Sequence, residues 1–390
     1  MSNGLYIHIP YCRQKCGYCG FVSYPVREGG VPGDFTNCLF REMALYHAGT
    51  ENCPVDTVFI GGGTPSLLTP VQFSELMSRT RQHFSVTQDA EITCEANPDS
   101  LTEDLLSAMR ENGVTRLSVG AQSLDDGLLG TLGRIHDRRG FLTAYERAVS
   151  AGFDNINIDL MFGIPGQTHA QWMTTLKEVT ALKPAHLSVY TIQLEEGTPF
   201  YEAYKDGRLD LPPYALDRRM YHDAKALLEE CGYEHYEISN FALPGKACRH
   251  NLKYWAMEPF IGLGPAAASY FDGCRYQNPP DLHSWSRMIE GGRTALDSAS
   301  PESADDAMEI FCFTALRTRQ GLDTERFLKR FGKAVEEAYR SDPPPVSKWI
   351  RDGLIVREGS CLRLTEEGIA VSNEIMSAFM RGTDAPDHPA

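Results

Sequence analysis

Three cysteines crowd into eight positions, Cys12, Cys16 and Cys19, in the run Tyr11-Cys12-Arg13-Gln14-Lys15-Cys16-Gly17-Tyr18-Cys19. A CxxxCxxC spacing on one tight loop lets three thiolates hold three irons of a cubane 4Fe-4S cluster and leaves the fourth iron open to a ligand. Structural zinc asks for four ligands, often as two CxxC pairs. The sequence has no second pair, and His8, the nearby alternative, lies on the strand that leads into the loop. The chain carries 11 cysteines. An odd number, mostly scattered, argues against a disulfide framework and for a metal site in a reducing compartment.

Other residues able to do chemistry fall where strands should end. They are Gly61-Gly62-Gly63-Thr64-Pro65, Glu95, Gln122 and Asp159. The strands expected before them are 5–9, 56–60, 91–94, 116–119, 155–160 and 186–190. Helical patterns separate these at 34–47, 70–84, 102–111, 141–151 and 168–182, and Gly113, Gly152 and Pro184 fall where helices should stop. Strands alternating with helices predict a parallel sheet, here an open or partial barrel of six βα units. Such folds place their chemistry at the carboxyl ends of the strands. Glycine turns, and carboxylates acting as turn or cap residues, are the plainer reading of any one end; several polar ends together point to a site.

The pattern changes after residue 195. Glycine, proline and aromatic residues become frequent through Tyr276 with no clean βα repeat, and a helical region starts near Pro301. Proline cannot continue a helix, so Pro343-Pro344-Pro345 interrupts it. A helix at 346–351, strands at 353–356 and 361–364 about a turn at Glu358-Gly359-Ser360, and a helix at 366–379 suggest a winged-helix-like module. The expected divisions are a barrel, 1–195, a middle segment covering its opening with a possible substrate site, 196–300, the helical module, 301–380, and a disordered tail, 381–390.

Of 390 residues 42 % are hydrophobic and 23 % charged, values of an ordinary globular protein, and the net charge is −15. Acidity of that size weighs against nucleic-acid binding, and Lys348 and Arg351 are too few to make a basic face on the winged-helix-like module. No run of about 18 apolar residues suggests an integral membrane span. The opening Met1-Ser2-Asn3-Gly4 lacks the form of a signal peptide, so a cytoplasmic location is expected.

With these residues in view, the sequence resembles the radical S-adenosylmethionine (SAM) superfamily, and within it the coproporphyrinogen dehydrogenase-like (HemN/HemW) branch. The resemblance rests on Tyr6-Ile7-His8-Ile9-Pro10 leading into the cysteines, Phe59-Ile60-Gly61-Gly62-Gly63-Thr64-Pro65-Ser66, Glu95-Ala96-Asn97-Pro98 and Ser118-Val119-Gly120-Ala121-Gln122-Ser123. It continues through Leu132-Gly133-Arg134-Ile135-His136, Asn157-Ile158-Asp159-Leu160-Met161 and His250-Asn251-Leu252-Lys253-Tyr254-Trp255, covering residues 4 to 380. It implies a partial (β/α)6 radical SAM barrel with a C-terminal helical module. It implies Cys12, Cys16 and Cys19 as cluster ligands and SAM on the open iron, cleaved by an electron to methionine and a 5′-deoxyadenosyl radical. Tyr6, Tyr18, Gly62, Gly63, Thr64, Glu95, Gln122, Arg134 and Asp159 would line the SAM site, with backbone N–H groups of the glycine turn meeting the methionine end and Arg134 a carboxylate.

Two readings within the branch compete. One is oxygen-independent coproporphyrinogen III dehydrogenation, a radical decarboxylation of propionate side chains. The other is heme carriage to acceptor proteins, and three features favour it. The dehydrogenases resembled show CxxxCxxCxC, whereas Phe21 stands at the fourth cysteine position. They carry an extension before the first strand, which here begins near Leu5. The segment from Cys248 to Trp255 is similar to a stretch linked to heme binding, with His250 as the expected axial contact and Tyr254 and Trp255 able to flank a porphyrin. Cys248 is close enough in sequence to be a thiolate ligand, although an ordinary thiol is the plainer reading. Ala268 stands where such relatives carry a histidine. The implied partners are heme or a porphyrin, a heme-acceptor protein and an electron donor such as flavodoxin or ferredoxin. A radical SAM enzyme with another substrate, and an assembly or transcription factor acting through the C-terminal module, are the further alternatives.

Overall fold

A computed structural model of the chain describes residues 2–26, 30–50, 53–298, 300–339 and 345–380. The expected tail, 381–390, and most of the proline run lie outside them. Six strands form the centre: β1 (Asn3–Ile9), β2 (Val55–Gly62), β3 (Val86–Ala96), β4 (Arg116–Gln122), β5 (Ile156–Phe162) and β6 (His186–Thr191). Each pairs in parallel with the next. Parallel neighbours need a crossover, and helices supply it: α1 (Gly33–Thr50), α2 (Pro70–His83), α3 (Glu103–Glu111), then α4 (Asp126–Leu132) with α5 (Arg138–Ser150), and α6 (His169–Ala181). This is the partial (β/α)6 barrel expected.

Local sequence sets the helix ends. Thr69 with Gln72, and Thr168 with Gln171, form reciprocal capping boxes that open α2 and α6. Strand alternation sets the two faces. Leu5, Ile7 and Ile9 are fully buried in the apolar layer under the helices. Tyr6 and His8, one residue out of phase, turn to the other face, where Tyr6 lies against Phe59 with ring centroids 6.2 Å apart.

The stretch after residue 195 continues the same sheet instead of standing apart from it. After α7 (Pro199–Lys205) and α8 (Tyr214–Glu230), β7 (Glu234–Glu237) and β8 (Asn240–Ala242) add antiparallel beyond β6. Next, α9 (Arg249–Trp255) leads to β9 (Phe260–Leu263), which pairs in parallel with β1 at the opposite side. Then β10 (Ala268–Phe271), β11 (Cys274–Gln277) and β12 (Ser300–Pro301) complete a sheet of twelve described strands in the order 12-11-10-9-1-2-3-4-5-6-8-7. These flanking strands have two to four residues each, too short to leave a periodic signal beside the turn residues around them.

The C-terminal region is helical, as expected, with a small sheet. Helix Ala304–Leu316 precedes a three-stranded antiparallel sheet of Leu322–Asp323, Ile355–Glu358 and Cys361–Leu364. The helix expected at 366–379 is two pieces, Glu366–Ala370 and Ser372–Ser377. Its first turn presses on the strand hairpin so closely that a Cβ on Gly368 would lie 2.0 Å from the Leu354 carbonyl oxygen. Among the described residues no helix is long and apolar enough to cross a membrane.

Candidate metal and cofactor site

The cysteine loop leaves the end of β1 and is pinned on several sides. Val26 N–H donates to the Cys12 carbonyl at 2.9 Å, Gly17 N–H to the Leu132 carbonyl at 3.3 Å, and Phe200 N–H to the Gly17 carbonyl at 3.0 Å. A Cβ on Gly17 would sit 2.6 Å from the Phe200 ring, so any larger residue there must displace that ring. All three cysteines are free and half-buried. Burial first, and then their mutual repulsion, push the Cys12 and Cys19 thiols up, so the thiolates need a cation beside them.

Donors already point at two of the sulfurs. Thr64 Oγ1–H donates to Cys12 Sγ at 3.4 Å, and Arg134 Nη1 to Cys16 Sγ at 3.7 Å. Arg134 Nη2 also donates to Asn97 Oδ1 at 2.8 Å and to the Gly120 carbonyl at 2.7 Å. Tyr18 packs beside Phe200 with ring centroids 6.3 Å apart, and its phenol is raised by burial and then by Cys16. His8 is no fourth ligand: its Nδ1 meets Tyr6 Oη at 3.0 Å and its Nε2 the Val22 carbonyl at 2.9 Å. Among the described residues no three His, Cys, Asp or Glu side chains converge on a single-ion site. Three thiols, two of them with directed donors, and no fourth protein ligand among the described residues fit a cubane with one open iron better than zinc.

The strand ends bring the other predicted residues to the same mouth. Glu95 accepts from Gly62 N–H at 3.0 Å. Asp159 accepts from Asn157 Nδ2 at 2.8 Å and from Ser118 Oγ at 3.3 Å. Gln122 holds a left-handed backbone, φ 65°, which places strain at a functional end. A Cβ on Gly120 would lie 3.1 Å from Gln122 Nε2 and 3.2 Å from Arg134 Nη2, so glycine lets both side chains cross that strand. Tyr6, Tyr18, Gly62, Gly63, Thr64, Glu95, Gln122, Arg134 and Asp159 thus belong to one face of the sheet and its cysteine loop.

The glycine turn differs from expectation in one respect. Its N–H groups are spent within the protein: Gly62 on Glu95, Gly63 on the Ile9 carbonyl at 2.9 Å, and Thr64 on the Tyr11 carbonyl at 2.7 Å. The reason is the closeness of the turn to the chain entering the cysteine loop. These N–H groups are therefore not available to a ligand carboxylate.

His250 stands apart from this mouth. It is fully buried near Gly4, at the start of β1, whereas the cysteines follow its end, Ile9. At roughly 3.3 Å per strand residue that separation is about 16 Å. Its Nδ1 meets Thr57 Oγ1 at 2.9 Å, its Nε2 meets Tyr254 Oη at 2.8 Å, and burial pushes its pKa down to about 3. It is a neutral floor residue with both nitrogens used. Cys248, fully buried, points its thiol at Glu91 Oε1, 3.6 Å away. Ala268 is exposed at the start of β10.

Sequence reasoning passed over two asparagines. Asn97 links Thr64 to Arg134, and Asn157 links Asp159 to Ser118 and to His186, its Oδ1 2.6 Å from His186 Nδ1. The signal was period-2 alternation: each lies two residues from a predicted carboxylate and shares its face.

The buried carboxyls carry a pH signature. Burial, and then repulsion from Asp159, push Glu95 up to about 7 from 4.5; burial does the same for Glu42. A carboxyl raised in the folded state keeps its proton there, so its contribution is whole below about pH 4.5 and is lost as the pH rises through 7. Melting curves of metal-free protein should therefore show stability falling across that window. Glu95→Gln, which keeps an acceptor for Gly62, should flatten part of the fall; an unchanged slope would show that Glu95 titrates normally.

Comparison with known proteins agrees with this geometry. Residues 6–179 match the radical SAM superfamily, and residues 303–371 the HemN C-terminal domain. The heme chaperone HemW of Bacillus subtilis is 36% identical over 96% of this chain and 98% of its own. That of Escherichia coli is 32% identical over 96% and 97%. The mouse mitochondrial radical S-adenosyl methionine domain-containing protein 1 is 37% identical over 96% and 87%. Among solved structures, coproporphyrinogen III oxidase (HemN) from Escherichia coli superposes with a TM-score of 0.84 at 25% identity, over 97% of this chain and 90% of that one. The chain belongs to the radical SAM superfamily and, within it, to the family of proteins named heme chaperone HemW.

Proposed function

We propose that this protein is a heme chaperone that holds a 4Fe-4S cluster on Cys12, Cys16 and Cys19 and SAM beside it, binds heme and passes it to an acceptor protein. Full-length similarity to proteins named heme chaperone carries the reading. Phe21 agrees with it, since this exposed ring stands where the dehydrogenases resembled have a fourth cysteine. When bound, the cluster supplies one electron at a time to SAM.

The chain's own residues do the rest. Arg134 and Thr64 stabilise charge on the ligand sulfurs, Gly62 and Gly63 admit the methionine end, and Glu95, Gln122 and Asp159 orient the remainder. Tyr6 and Tyr18 wall off water. Residues 1–195 carry this site, 196–300 border the barrel opening, and 301–380 form the helical module. An electron donor such as flavodoxin or ferredoxin reduces the cluster. The cytoplasm, which keeps thiols reduced, is the proposed location. Heme contact through His250 requires α9 to lift from the barrel floor, because both ring nitrogens are engaged there.

Cluster-loaded protein tests the proposal when incubated anaerobically with SAM, a strong reductant and coproporphyrinogen III, and separately titrated with heme. Heme binding with no decarboxylated porphyrin is expected. Decarboxylated product would establish the dehydrogenase reading, which the likeness to HemN favours. His250→Gln should bind heme with unchanged affinity if His250 remains a floor residue, and more weakly if it is the axial contact.

A further inference from the structure

A hydrogen-bonded string joins two of the three cysteines through one amide. From Cys12 Sγ it runs to Thr64 Oγ1 at 3.4 Å, to Asn97 Nδ2 at 3.1 Å, from Asn97 Oδ1 to Arg134 Nη2 at 2.8 Å, and from Arg134 Nη1 to Cys16 Sγ at 3.7 Å. The directions are forced. A guanidinium only donates, so Asn97 must turn its oxygen to Arg134 and its NH2 to Thr64. The Thr64 oxygen is then occupied as an acceptor, which leaves its hydroxyl hydrogen for Cys12. The end of β3 holds Asn97, whose own N–H donates to Ser66 Oγ at 3.1 Å, so its backbone is fixed as well.

We infer that Asn97 is a positioning residue that sets the electron affinity of the cluster by aiming the Thr64 hydroxyl at Cys12 and the Arg134 guanidinium at Cys16. Hydrogen bonds and positive charge at ligand sulfurs stabilise the reduced, more negative cluster and raise its reduction potential. Asn97 touches no sulfur. It acts through two residues that do: its NH2 leaves the Thr64 hydroxyl to donate, and its oxygen holds the Arg134 guanidinium in place. Aspartate in its place offers Thr64 only an acceptor. The hydroxyl hydrogen then turns to the carboxylate, and Cys12 loses its donor. The inference rests on the cluster assignment of the preceding section.

The test is an EPR-monitored redox titration of reconstituted full-length protein in a double-mutant cycle of Asn97→Asp and Thr64→Val. Each single change should move the midpoint potential to more negative values. Together they should shift it by less than the sum, because Asn97→Asp acts partly through the hydroxyl that Thr64→Val removes. Thr64→Ser, which keeps the hydroxyl, should restore the wild-type midpoint. Strictly additive shifts, or midpoints equal to that of the wild type, would overturn the inference while leaving the cluster assignment intact. If aspartate prevents loading, the cycle is run with Asn97→Ala. Failure of that variant to load iron as well would assign Asn97 to assembly of the loop and overturn the tuning role. Wild-type protein without a 4Fe-4S signal would instead sink the cluster assignment itself.

Discussion

Cys16→Ala is expected to return colourless protein from anaerobic reconstitution, with iron and sulfide at background. Each iron held by the protein takes one thiolate, and three thiols are the minimum that holds a cubane by three corners. Among the described residues nothing nearby replaces the lost sulfur. His8 is committed to Tyr6 and Val22, and Cys38, Cys94, Cys248 and Cys312 are buried elsewhere in the chain. The substitution also leaves Arg134 without the sulfur it faces, a half-buried donor deprived of its partner. Cys231→Ala, at an exposed cysteine, is the control and should load normally. A brown, iron-loaded Cys16→Ala protein would refute the ligand assignment.

Gly63→Ala should be the most damaging single methyl group in the site. A Cβ there would lie 2.7 Å from both the nitrogen and the oxygen of Tyr11 and 2.8 Å from the Ile9 oxygen. These are backbone atoms of the segment entering the cysteine loop, so no side-chain rotation relieves the contact. The turn is held against that segment by the Gly63-to-Ile9 and Thr64-to-Tyr11 hydrogen bonds, and either these or the position of Cys12 must give way. Overpacking of this kind costs about 3 kcal/mol. The melting temperature should fall clearly, and iron loading with it. Gly130→Ala is the matched control. Beyond its chain neighbours and its own helix backbone, no atom lies within 4 Å of its added methyl, and alanine in a helix gains about 1 kcal/mol over glycine. Equal stability of the two variants would show that the close approach at Gly63 is not maintained in solution.

The centre of the fold was legible because buried parallel strands are long and β-branched, and their helices amphipathic. Expected strand 56–60 lies within Val55–Gly62, and 91–94 within the second half of Val86–Ala96. The flanking strands were not legible. The burial of β11 alternates between half-buried and exposed, so composition gives it no inward face. Helix α4 hides for another reason, two glycines in seven residues. In the site, residue types and their place at strand ends pointed to the cysteines and carboxylates. What spacing does not convey is direction. It could not tell that the N–H groups of the glycine turn are consumed by neighbouring carbonyls and a carboxylate. Nor could it tell that His250 faces the floor of the barrel, because a motif names a residue without saying which end of a strand it packs beneath.

The position of β1 within the sheet orders the birth of the site. The first strand of the chain lies between β2 and β9, so one of its two ladders is made by residues 260–263. A nascent chain that has already exposed all three cysteines still has that side of the strand unpaired until two-thirds of the protein has emerged. Contacts of such sequence separation form late. The strand that leads into the cysteine loop therefore gains its second ladder only after residues 260–263 are made.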